Sequence, residues 1–249
     1  MRISCAQLSQ IFDRPMDAFL QAEEFISHSD ADLIVFPEQY ATGWGVSRTP
    51  QDEAWVREQW LSLAEKYHKC LVGSFREENA SGMPYNTMLV CSPEGEILST
   101  YRKMHLFSPA GEDSCSSPGA APSVFEFGGL RFGCAVCFDL RFPELFRSYL
   151  AAGCECVIVQ AAWPAARISD WELLLRARAV ENRGYVVGCN CLGFDAASGT
   201  DYCGRSMVCS PDGKILSDAG VFEGECVFDA EPDAVSAEVL ELRKIWTGC

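Results

Sequence analysis

Apolar residues along the chain follow two recurring patterns, and each predicts one kind of secondary structure. Short runs that are apolar at nearly every position, such as Leu-Ile-Val-Phe at 33–36 and Val-Ile-Val at 157–159, are typical of strands covered on both faces. Longer stretches carry apolar residues three or four positions apart, the spacing of one helix face. Two such faces comprise Met16, Phe19, Leu20, Ala22, Phe25 and Ile26, and then Val56, Trp60, Leu63, Ala64 and Tyr67.

Two more helices are predicted in the second half of the chain. Pro143 suits the first turn of a helix, where its missing N–H is not needed. The apolar residues of this helix are Leu145, Phe146, Tyr149 and Leu150. Ser169 and Glu172 have the spacing of a capping box and predict a helix start there. The apolar residues that follow are Leu174, Leu175 and Val180.

A repeat links the two halves of the chain. Cys-Ser-Pro-Glu-Gly-Glu-Ile-Leu-Ser at 91–99 recurs as Cys-Ser-Pro-Asp-Gly-Lys-Ile-Leu-Ser at 209–217, and Pro-Glu-Gly and Pro-Asp-Gly are typical of hairpin turns. Leu-Val-Gly-Ser at 71–74 and Val-Val-Gly-Cys at 186–189 precede the two copies in the same way. We therefore predict an α/β fold, a four-layer α-β-β-α sandwich of two internally similar halves. No Gly/Ser-rich linker interrupts it, so 1–249 is expected to be a single domain.

Composition and charge narrow the range of partners. The 249 residues carry a formal net charge of −15, which is unfavourable for binding a nucleic-acid backbone. No apolar stretch reaches the length of a membrane-spanning helix. The first residues are strand-like and lack the layout of a signal peptide, so a cytoplasmic location is expected. Most of the 14 cysteines lie in apolar runs, where small buried hydrophobic residues are the expected interpretation.

Three segments place a reactive side chain at the end of a predicted strand, where α/β sheets bind ligands. Glu38 ends Leu-Ile-Val-Phe-Pro-Glu, and burial there would suit it to act as a general base. Lys103 lies just past the first hairpin, and its ammonium suits the stabilisation of an oxyanion. Cys137 ends a strand before a short turn and a helix, an arrangement that resembles a nucleophile elbow. The backbone N–H of Phe138 is a candidate second oxyanion donor. Each segment alone is also compatible with an ordinary structural role.

Together the three segments resemble the Glu-Lys-Cys triad of the nitrilase superfamily of carbon–nitrogen hydrolases. The motifs are Phe-Pro-Glu at 36–38, Tyr-Arg-Lys-Met-His-Leu-Phe at 101–107 and Cys-Phe-Asp-Leu-Arg-Phe-Pro-Glu at 137–144, in the family's order. Within the superfamily, Trp-Pro-Ala-Ala-Arg at 163–167, Arg-Ala-Arg-Ala-Val-Glu-Asn at 176–182 and Gly-Cys-Asn at 188–190 are similar to the omega-amidase branch. The resemblance implies the four-layer fold, and hydrolysis of dicarboxylate monoamides such as 2-oxoglutaramate through a thioester.

The resemblance also implies further site residues. A second glutamate is expected after the lysine; Glu112 fits best, Asp113 is an alternative, and Glu126 fits less well. An anionic substrate requires a cation, for which Arg167 is preferred, while Arg141 is also compatible with a structural ion pair. Trp163 and Tyr40 are candidates for the pocket wall. No cofactor or metal is required, and a homodimer is expected, although residues 244–249 form a shorter C-terminus than the family usually has.

The sequence is also compatible with three alternative functions. Cys134 and Cys137 form a C-x-x-C pair that is compatible with redox or metal chemistry, although on a strand the two point to opposite faces. His105 is a candidate base for a Cys–His hydrolase, whereas His28 and His68 are expected at helix ends. A non-catalytic binding protein that keeps the fold is the third. Other superfamily substrates, namely nitriles, N-carbamoyl compounds and a deaminated-peptide amide, also stay open.

Overall fold

The strands and helices alternate along the chain as the apolar pattern indicates. In a computed structural model, residues 1–44, 52–80, 82–230 and 244–245 are described, and they form fourteen strands and four α-helices. The first half contains β1 (Arg2–Gln7), α1 (Pro15–His28), β2 (Leu33–Val35), α2 (Glu53–Tyr67), β3 (Cys70–Glu77), β4 (Tyr85–Cys91) and β5 (Ile97–Arg102). The second half contains β6 (Val124–Phe127), β7 (Leu130–Val136), α3 (Pro143–Ala151), β8 (Cys156–Ala161), α4 (Ile168–Asn182), β9 (Tyr185–Asn190), β10 (Leu192–Asp195), β11 (Thr200–Cys203), β12 (Met207–Cys209), β13 (Ile215–Asp218) and β14 (Gly224–Asp229).

The strands form two six-stranded sheets of the same topology, with β14 from the second half joining the first sheet and β10 and β11 pairing separately. The first sheet has the order β14-β1-β2-β3-β4-β5 and the second β6-β7-β8-β9-β12-β13. In each, the second, third and fourth strands run parallel and the outer strands run antiparallel to their neighbours. Both hairpins of the repeat shift register at the same place, between Val90 and Cys91 and between Val208 and Cys209. The prediction of two internally similar halves is confirmed.

Alternate residues of the central strands face two different cores. Leu33 and Val35 of β2 belong to the core that lies between the two sheets. Ile34 and Phe36 point the other way and pack in a separate core with residues of α1 and α2. Helix α4 packs on β9 in the same manner on the other side. The α/β sandwich with helices outside both sheets is therefore confirmed, and its sheets are apolar on both faces because both are covered.

The helix faces are narrower than the sequence pattern predicts. In α1, Phe19, Ala22 and Ile26 are buried, but Met16 and Leu20 are 70% and 64% exposed. At about 100° per residue these two lie further round the helix than the buried stripe. In α4, Leu175 is buried while Val180 is 41% exposed. None of the helices in the described parts of the chain has the length and apolar character to span a membrane.

The predicted helix start at Ser169 and Glu172 is wrong in detail. A 3₁₀ turn at Ala165–Arg167 runs directly into α4, which begins at Ile168 with Arg167 at its N-cap and no side-chain cap. Ser169 is thus already inside the first turn. Glu172 instead accepts a hydrogen bond from Arg205 at 3.1 Å. By contrast, Pro143 does open α3, as predicted.

Candidate active site

The three predicted reactive side chains converge at one end of the sandwich. Glu38 follows β2, Lys103 follows β5 and Cys137 follows β7, so the first sheet supplies two groups and the second sheet supplies one. Glu38 and Lys103 are 0% exposed and Cys137 is 8% exposed. Two opposite charges and a thiol are therefore held together with almost no contact with solvent.

Glu38 is fixed by contacts along its backbone and at both carboxylate oxygens. Its carbonyl oxygen accepts from the Gln10 side-chain amide at 3.0 Å. Oε2 accepts from the backbone N–H of Ala162 at 3.0 Å, and Oε1 accepts from Lys103 at 2.9 Å. The Ala162 contact links the first sheet to the end of β8 in the second. The carboxylate therefore has a single well-defined orientation.

Lys103 bridges two carboxylates. Its Nζ lies 2.9 Å from Glu38 Oε1 and 2.8 Å from Glu112 Oε2. Burial on its own would lower the pKa of the ammonium, but the attraction of Glu38 and Glu112 outweighs it and holds the pKa well above the usual value. Lys103 is therefore a permanent cation beside Cys137.

Glu112, and not Asp113 or Glu126, contacts the lysine. A 3₁₀ turn at Glu112–Ser114 directs the Glu112 side chain inward, where it is 2% exposed and also accepts from the Phe107 N–H at 2.7 Å. Burial would raise the pKa of the Glu112 carboxyl. Lys103 and the hydrogen bonds from the Phe107 N–H and the Asn86 side chain outweigh it and lower the pKa below its ordinary value. Asp113 is exposed, and Glu126 pairs with Arg131 on the surface.

Asn86 completes the charged cluster and was not singled out by the sequence pattern. Its Nδ2 donates to Glu38 Oε1 at 2.7 Å and to Glu112 Oε1 at 2.9 Å. A single amide thus ties together the two carboxylates that flank Lys103. The available signal was an Asn inside the apolar run of β4, because a buried amide must find hydrogen-bond partners.

Cys137 sits in a strained turn between β7 and α3. Its φ is +48°, a left-handed conformation that is uncommon for a residue with a Cβ, and a 3₁₀ turn at Cys137–Arg141 follows. Burial and the neighbouring Glu38 raise the pKa of the Cys137 thiol well above its usual value, although Lys103 acts in the opposite direction. The resting sulfur is therefore a neutral thiol that needs a base before it can attack.

A pocket of about 510 Å³ opens above the thiol. Cys137 and Lys103 lie among its lining residues, together with Trp44, Phe107, Phe138, Trp163, Pro164, Thr200 and Tyr202 among others. Strand β11 contributes Thr200 and Tyr202 to one wall, which the sequence pattern did not predict. Trp163 lines the pocket, and so does Phe138, whose backbone N–H stays a candidate oxyanion donor. The prediction for Tyr40 is wrong: it is buried in the outer core against Phe36 and Trp60, and its hydroxyl donates to Gln21 at 2.6 Å.

Arg141 and Arg167 both line the pocket, but their side chains make different contacts. Arg141 donates to Asp170 at 2.6 Å and lies over the Trp163 ring, so its charge is already paired. The Arg167 guanidinium lies over the Phe107 ring at 5.2 Å and is not ion-paired with any of the described residues. Arg167 is thus the pocket cation that remains available to an anion.

The alternative chemistries find less support in the geometry. Cys134 is completely buried within β7, away from the pocket, and burial raises the pKa of its thiol. Across the described ranges, no group of three or more His, Cys, Asp or Glu side chains is arranged to hold a metal ion. His105 bonds to Asp139 rather than to Cys137, with Nδ1 at 2.7 Å from Oδ1. His28 and His68 lie at the ends of α1 and α2.

The chain is similar to known proteins along almost its whole length. The family model described as Carbon-nitrogen hydrolase matches residues 1–238. The chain belongs to this family, and the superfamily resemblance of the three motifs is confirmed. It is accordingly a carbon–nitrogen hydrolase enzyme.

Relatives with curated names refine the comparison. The chain is 34% identical to a 2-oxoglutaramate amidase of Bacillus subtilis (strain 168) over 247 residues, which cover 96% of this chain and 93% of the relative. It is 33% identical to a human omega-amidase, covering 89% and 85% of the two chains. Similarity to the omega-amidase branch is thus seen across the chain and not only in short motifs.

Solved structures of similar proteins share the fold. An amidase of Nesterenkonia sp. AN1 matches with a TM-score of 0.87 and 27% identity, covering 99% of this chain and 96% of the amidase. A variant of that amidase carries the acetamide moiety of fluoroacetamide covalently added at its active-site cysteine. A CN-hydrolase superfamily protein of Xanthomonas campestris, with an arsenic adduct in its active site, matches with a TM-score of 0.86 and 25% identity, covering 100% and 97% of the two chains.

Proposed function

We propose that the protein hydrolyses the terminal amide of small dicarboxylate monoamides, such as 2-oxoglutaramate, and releases ammonia. The observation that carries the proposal is a buried Glu38–Lys103–Cys137 cluster beneath a pocket lined by Arg167, which has no ion-pair partner in the described part of the chain. The relatives that are named 2-oxoglutaramate amidase and omega-amidase support the same substrate class.

Acylation begins with proton transfer. Glu38 removes the proton from the Cys137 thiol as the sulfur attacks the amide carbonyl. The carbonyl oxygen becomes an oxyanion, which Lys103 and the backbone N–H of Phe138 stabilise. The intermediate then collapses: the C–N bond breaks, and ammonia leaves with the proton that Glu38 had taken. The acyl group remains on Cys137 as a thioester.

Deacylation uses Glu38 a second time. Glu38 removes a proton from a water molecule, which attacks the thioester, and the carbon–sulfur bond breaks. Cys137 regains its proton from Glu38, so the enzyme returns to its starting state with the dicarboxylate released. In both steps Glu112 and Asn86 hold Lys103 and Glu38 in place without exchanging protons. No metal or organic cofactor is needed for these steps.

Arg167 selects the substrate in this account. A carboxylate at the far end of the substrate replaces water around the guanidinium, and Trp163 and the other aromatic side chains enclose the aliphatic part between the two ends. Arg141 is held by Asp170 and orients Trp163. We also propose that the enzyme works as a homodimer, on the basis of the family resemblance alone, and sedimentation of the purified chain tests this. A cytoplasmic location stays a prediction, which fractionation of cells that express the chain tests.

The test compares amides that differ only in charge. Ammonia release is measured from 2-oxoglutaramate, from succinamate and from a neutral aliphatic amide, with a nitrile and an N-carbamoyl amino acid alongside. Arg167→Ala is expected to lower kcat/KM for the two anionic amides roughly thirtyfold, the loss of about 2 kcal/mol from one charge-assisted hydrogen bond. The neutral amide should change little, and Cys137→Ala should be inactive on all.

Each outcome has a distinct meaning. Equal loss on charged and neutral amides would remove Arg167 from substrate selection. Preference for a nitrile or N-carbamoyl compound would retain the catalytic cluster and overturn the substrate class. Turnover by Cys137→Ala would overturn the mechanism.

A further inference from the structure

A buried carboxylate that lies outside the pocket joins the two catalytic segments. Asp139 is two residues after Cys137, is 0% exposed and does not line the pocket. Its Oδ1 accepts from the His105 backbone N–H at 2.9 Å and lies 2.7 Å from the His105 ring Nδ1. Its Oδ2 accepts from the Tyr101 hydroxyl at 2.7 Å and from the Val136 N–H at 2.9 Å. All four acceptor positions of the carboxylate are therefore occupied.

Two of the residues that donate to Asp139 lie on either side of Lys103 in the sequence. Tyr101 is two residues before the lysine and His105 is two residues after it, so the Lys103 segment is attached to Asp139 at both ends. This segment leaves the first sheet, whereas Asp139 belongs to the turn that leaves the second sheet. The His105 ring also stacks on Phe142 of that turn, with centroids 3.7 Å apart and planes 8° apart. One carboxylate thus bridges the two sheets at the point where the chemistry is located.

The same carboxylate stabilises the strained turn. Cys137 has a left-handed φ of +48°, and Asp139 accepts from the residue immediately before it, Val136. An isolated turn of this kind would relax, because a residue with a Cβ prefers other conformations. The bond from Val136 closes the turn on itself, and the bonds from Tyr101 and His105 fix it to the neighbouring segment.

We infer that Asp139 is a positioning residue that sets the separation between the Lys103 ammonium and the Cys137 sulfur. It acts through the backbone of both segments and touches neither substrate nor reacting atoms. This inference rests on the proposed function, in which Lys103 stabilises charge that develops beside Cys137. An asparagine at this position keeps the size of the side chain but turns one oxygen into an NH₂ group. That group faces two donors and cannot accept from them.

Asp139→Asn has two effects on the reactivity of Cys137. These effects have opposite signs, which makes the inference testable. Removal of a negative charge near Cys137 would, by itself, favour the thiolate and speed its reaction with an alkylating reagent. Loss of the bridge lets Lys103 and Cys137 move apart, which disfavours the thiolate and slows the reaction. The sign of the change therefore separates positioning from simple electrostatics.

The experiment measures the rate of Cys137 alkylation by iodoacetamide, located by peptide mass spectrometry, at one mildly alkaline pH. Asp139→Asn should lower the rate constant about tenfold, the effect of about one pKa unit on the thiolate fraction. For 2-oxoglutaramate, kcat should fall by a larger factor than KM changes. Tyr101→Phe, which removes one of the four donors and keeps the ring, should show the same changes to a smaller degree.

Controls separate this inference from the proposed function and from misfolding. Thermal unfolding shows whether each variant is folded, and Tyr101→Phe carries the test if Asp139→Asn does not fold. Unchanged or faster alkylation in a folded variant, with unchanged kcat, would overturn the inference. Alkylation does not depend on the substrate, so it remains informative if the wild-type enzyme fails to turn over the dicarboxylate monoamides.

Discussion

At the scale of single residues, the site depends on how two carboxylates and one ammonium share a buried space. Lys103 neutralises only part of the charge of Glu38 and Glu112, and the remaining acceptor positions need donors. Asn86 supplies one N–H to each carboxylate. Its role is therefore to hold the two acids at fixed positions, one as base and the other as support for the lysine.

This role leads to a prediction for Asn86→Ala. Both carboxylates lose a donor in a buried environment, so kcat/KM for amide hydrolysis should fall, with an expected cost of about 2 kcal/mol. Asn182→Ala is the matched control, because Asn182 is also a buried amide, but within the described ranges its hydrogen bond is to the Arg178 carbonyl in α4. The control should lower thermal stability and leave kcat/KM unchanged. Equal activity of the Asn86 variant and the wild-type enzyme would contradict the role.

The sequence predicted some of these residues and not others for a physical reason. Glu38, Lys103 and Cys137 follow strand ends within distinctive motifs, and strand ends meet at a common edge of a sandwich. Tyr40 also follows a strand end, but the chain turns after Glu38, with Gln39 at a φ of +47°, and Tyr40 points into the outer core. The direction of a side chain after such a turn depends on packing that periodicity does not contain.

At the scale of elements, the position of Lys103 depends on a close backbone crossing. The Gly119 N–H donates to the Lys103 carbonyl at 2.8 Å. A Cβ added at Gly119 would lie 2.1 Å from the carbonyl oxygen of Arg102, so no larger residue fits without moving the strand end. The loop after Glu112 is thus packed directly against the segment that carries the catalytic lysine.

We therefore expect Gly119→Ala to displace that segment. The overpacking should destabilise the protein by about 1–3 kcal/mol and should also reduce kcat, since Lys103 moves with its backbone. Thermal unfolding and ammonia release measure the two effects. Ala120→Ser, at the adjacent exposed position, is the control and should change neither. A destabilised Gly119→Ala protein with full kcat would show that Lys103 is held independently of this crossing.

Local sequence signals predicted most strands and hairpins but not the exact start of every helix. The strands and their hairpins follow from uninterrupted apolar runs and turn residues, and the structure matches both. The start of α4 does not follow, because the 3₁₀ turn before it makes a side-chain cap unnecessary. The contribution of β11 to the pocket wall was missed because this four-residue strand is only partly buried and carries a weak alternation.

At the scale of the whole molecule, the fold is a repeat but the chemistry is not. The two sheets have equivalent strand orders, yet Glu38 and Lys103 come from the first and Cys137 from the second. The repeat at 91–99 and 209–217, together with the similar strands that precede each copy, therefore predicted the architecture. It could not indicate which strand ends carry the site, since that depends on residues that differ between the halves.

The charged cluster also links stability to pH. Lys103 and the other hydrogen-bond donors to Glu112 lower the pKa of the Glu112 carboxyl below the value of 4.5 that is expected when the chain is unfolded. A carboxyl whose pKa is lowered by folding stabilises the folded state above its unfolded pKa, and this contribution is lost as the pH falls through the folded value. Glu112→Gln should therefore be less stable than the wild-type protein at neutral pH, and the difference should shrink well below pH 4.5.

Urea unfolding of both proteins at neutral and acidic pH measures this difference. A gap in the free energy of unfolding that stays constant with pH would mean that the Glu112 charge does not contribute. Glu126→Gln serves as the control, since Glu126 pairs with Arg131 at the surface and both side chains are largely exposed. Its stability difference from the wild-type protein should be small at every pH.

The central claim is that Cys137 forms a thioester after Glu38 takes its proton, and mass spectrometry of the reacting enzyme tests it most directly. Glu38→Gln should carry no acyl group, because its Cys137 thiol lacks the base that takes the proton. In the wild-type background, acid quenching during turnover of an amide should trap an acyl group that can be assigned to the peptide containing Cys137. Cys134→Ala, made in the same background, should still carry the adduct, because Cys134 lies in the core. An adduct on another residue would contradict the account. So would steady ammonia release by Cys137→Ala.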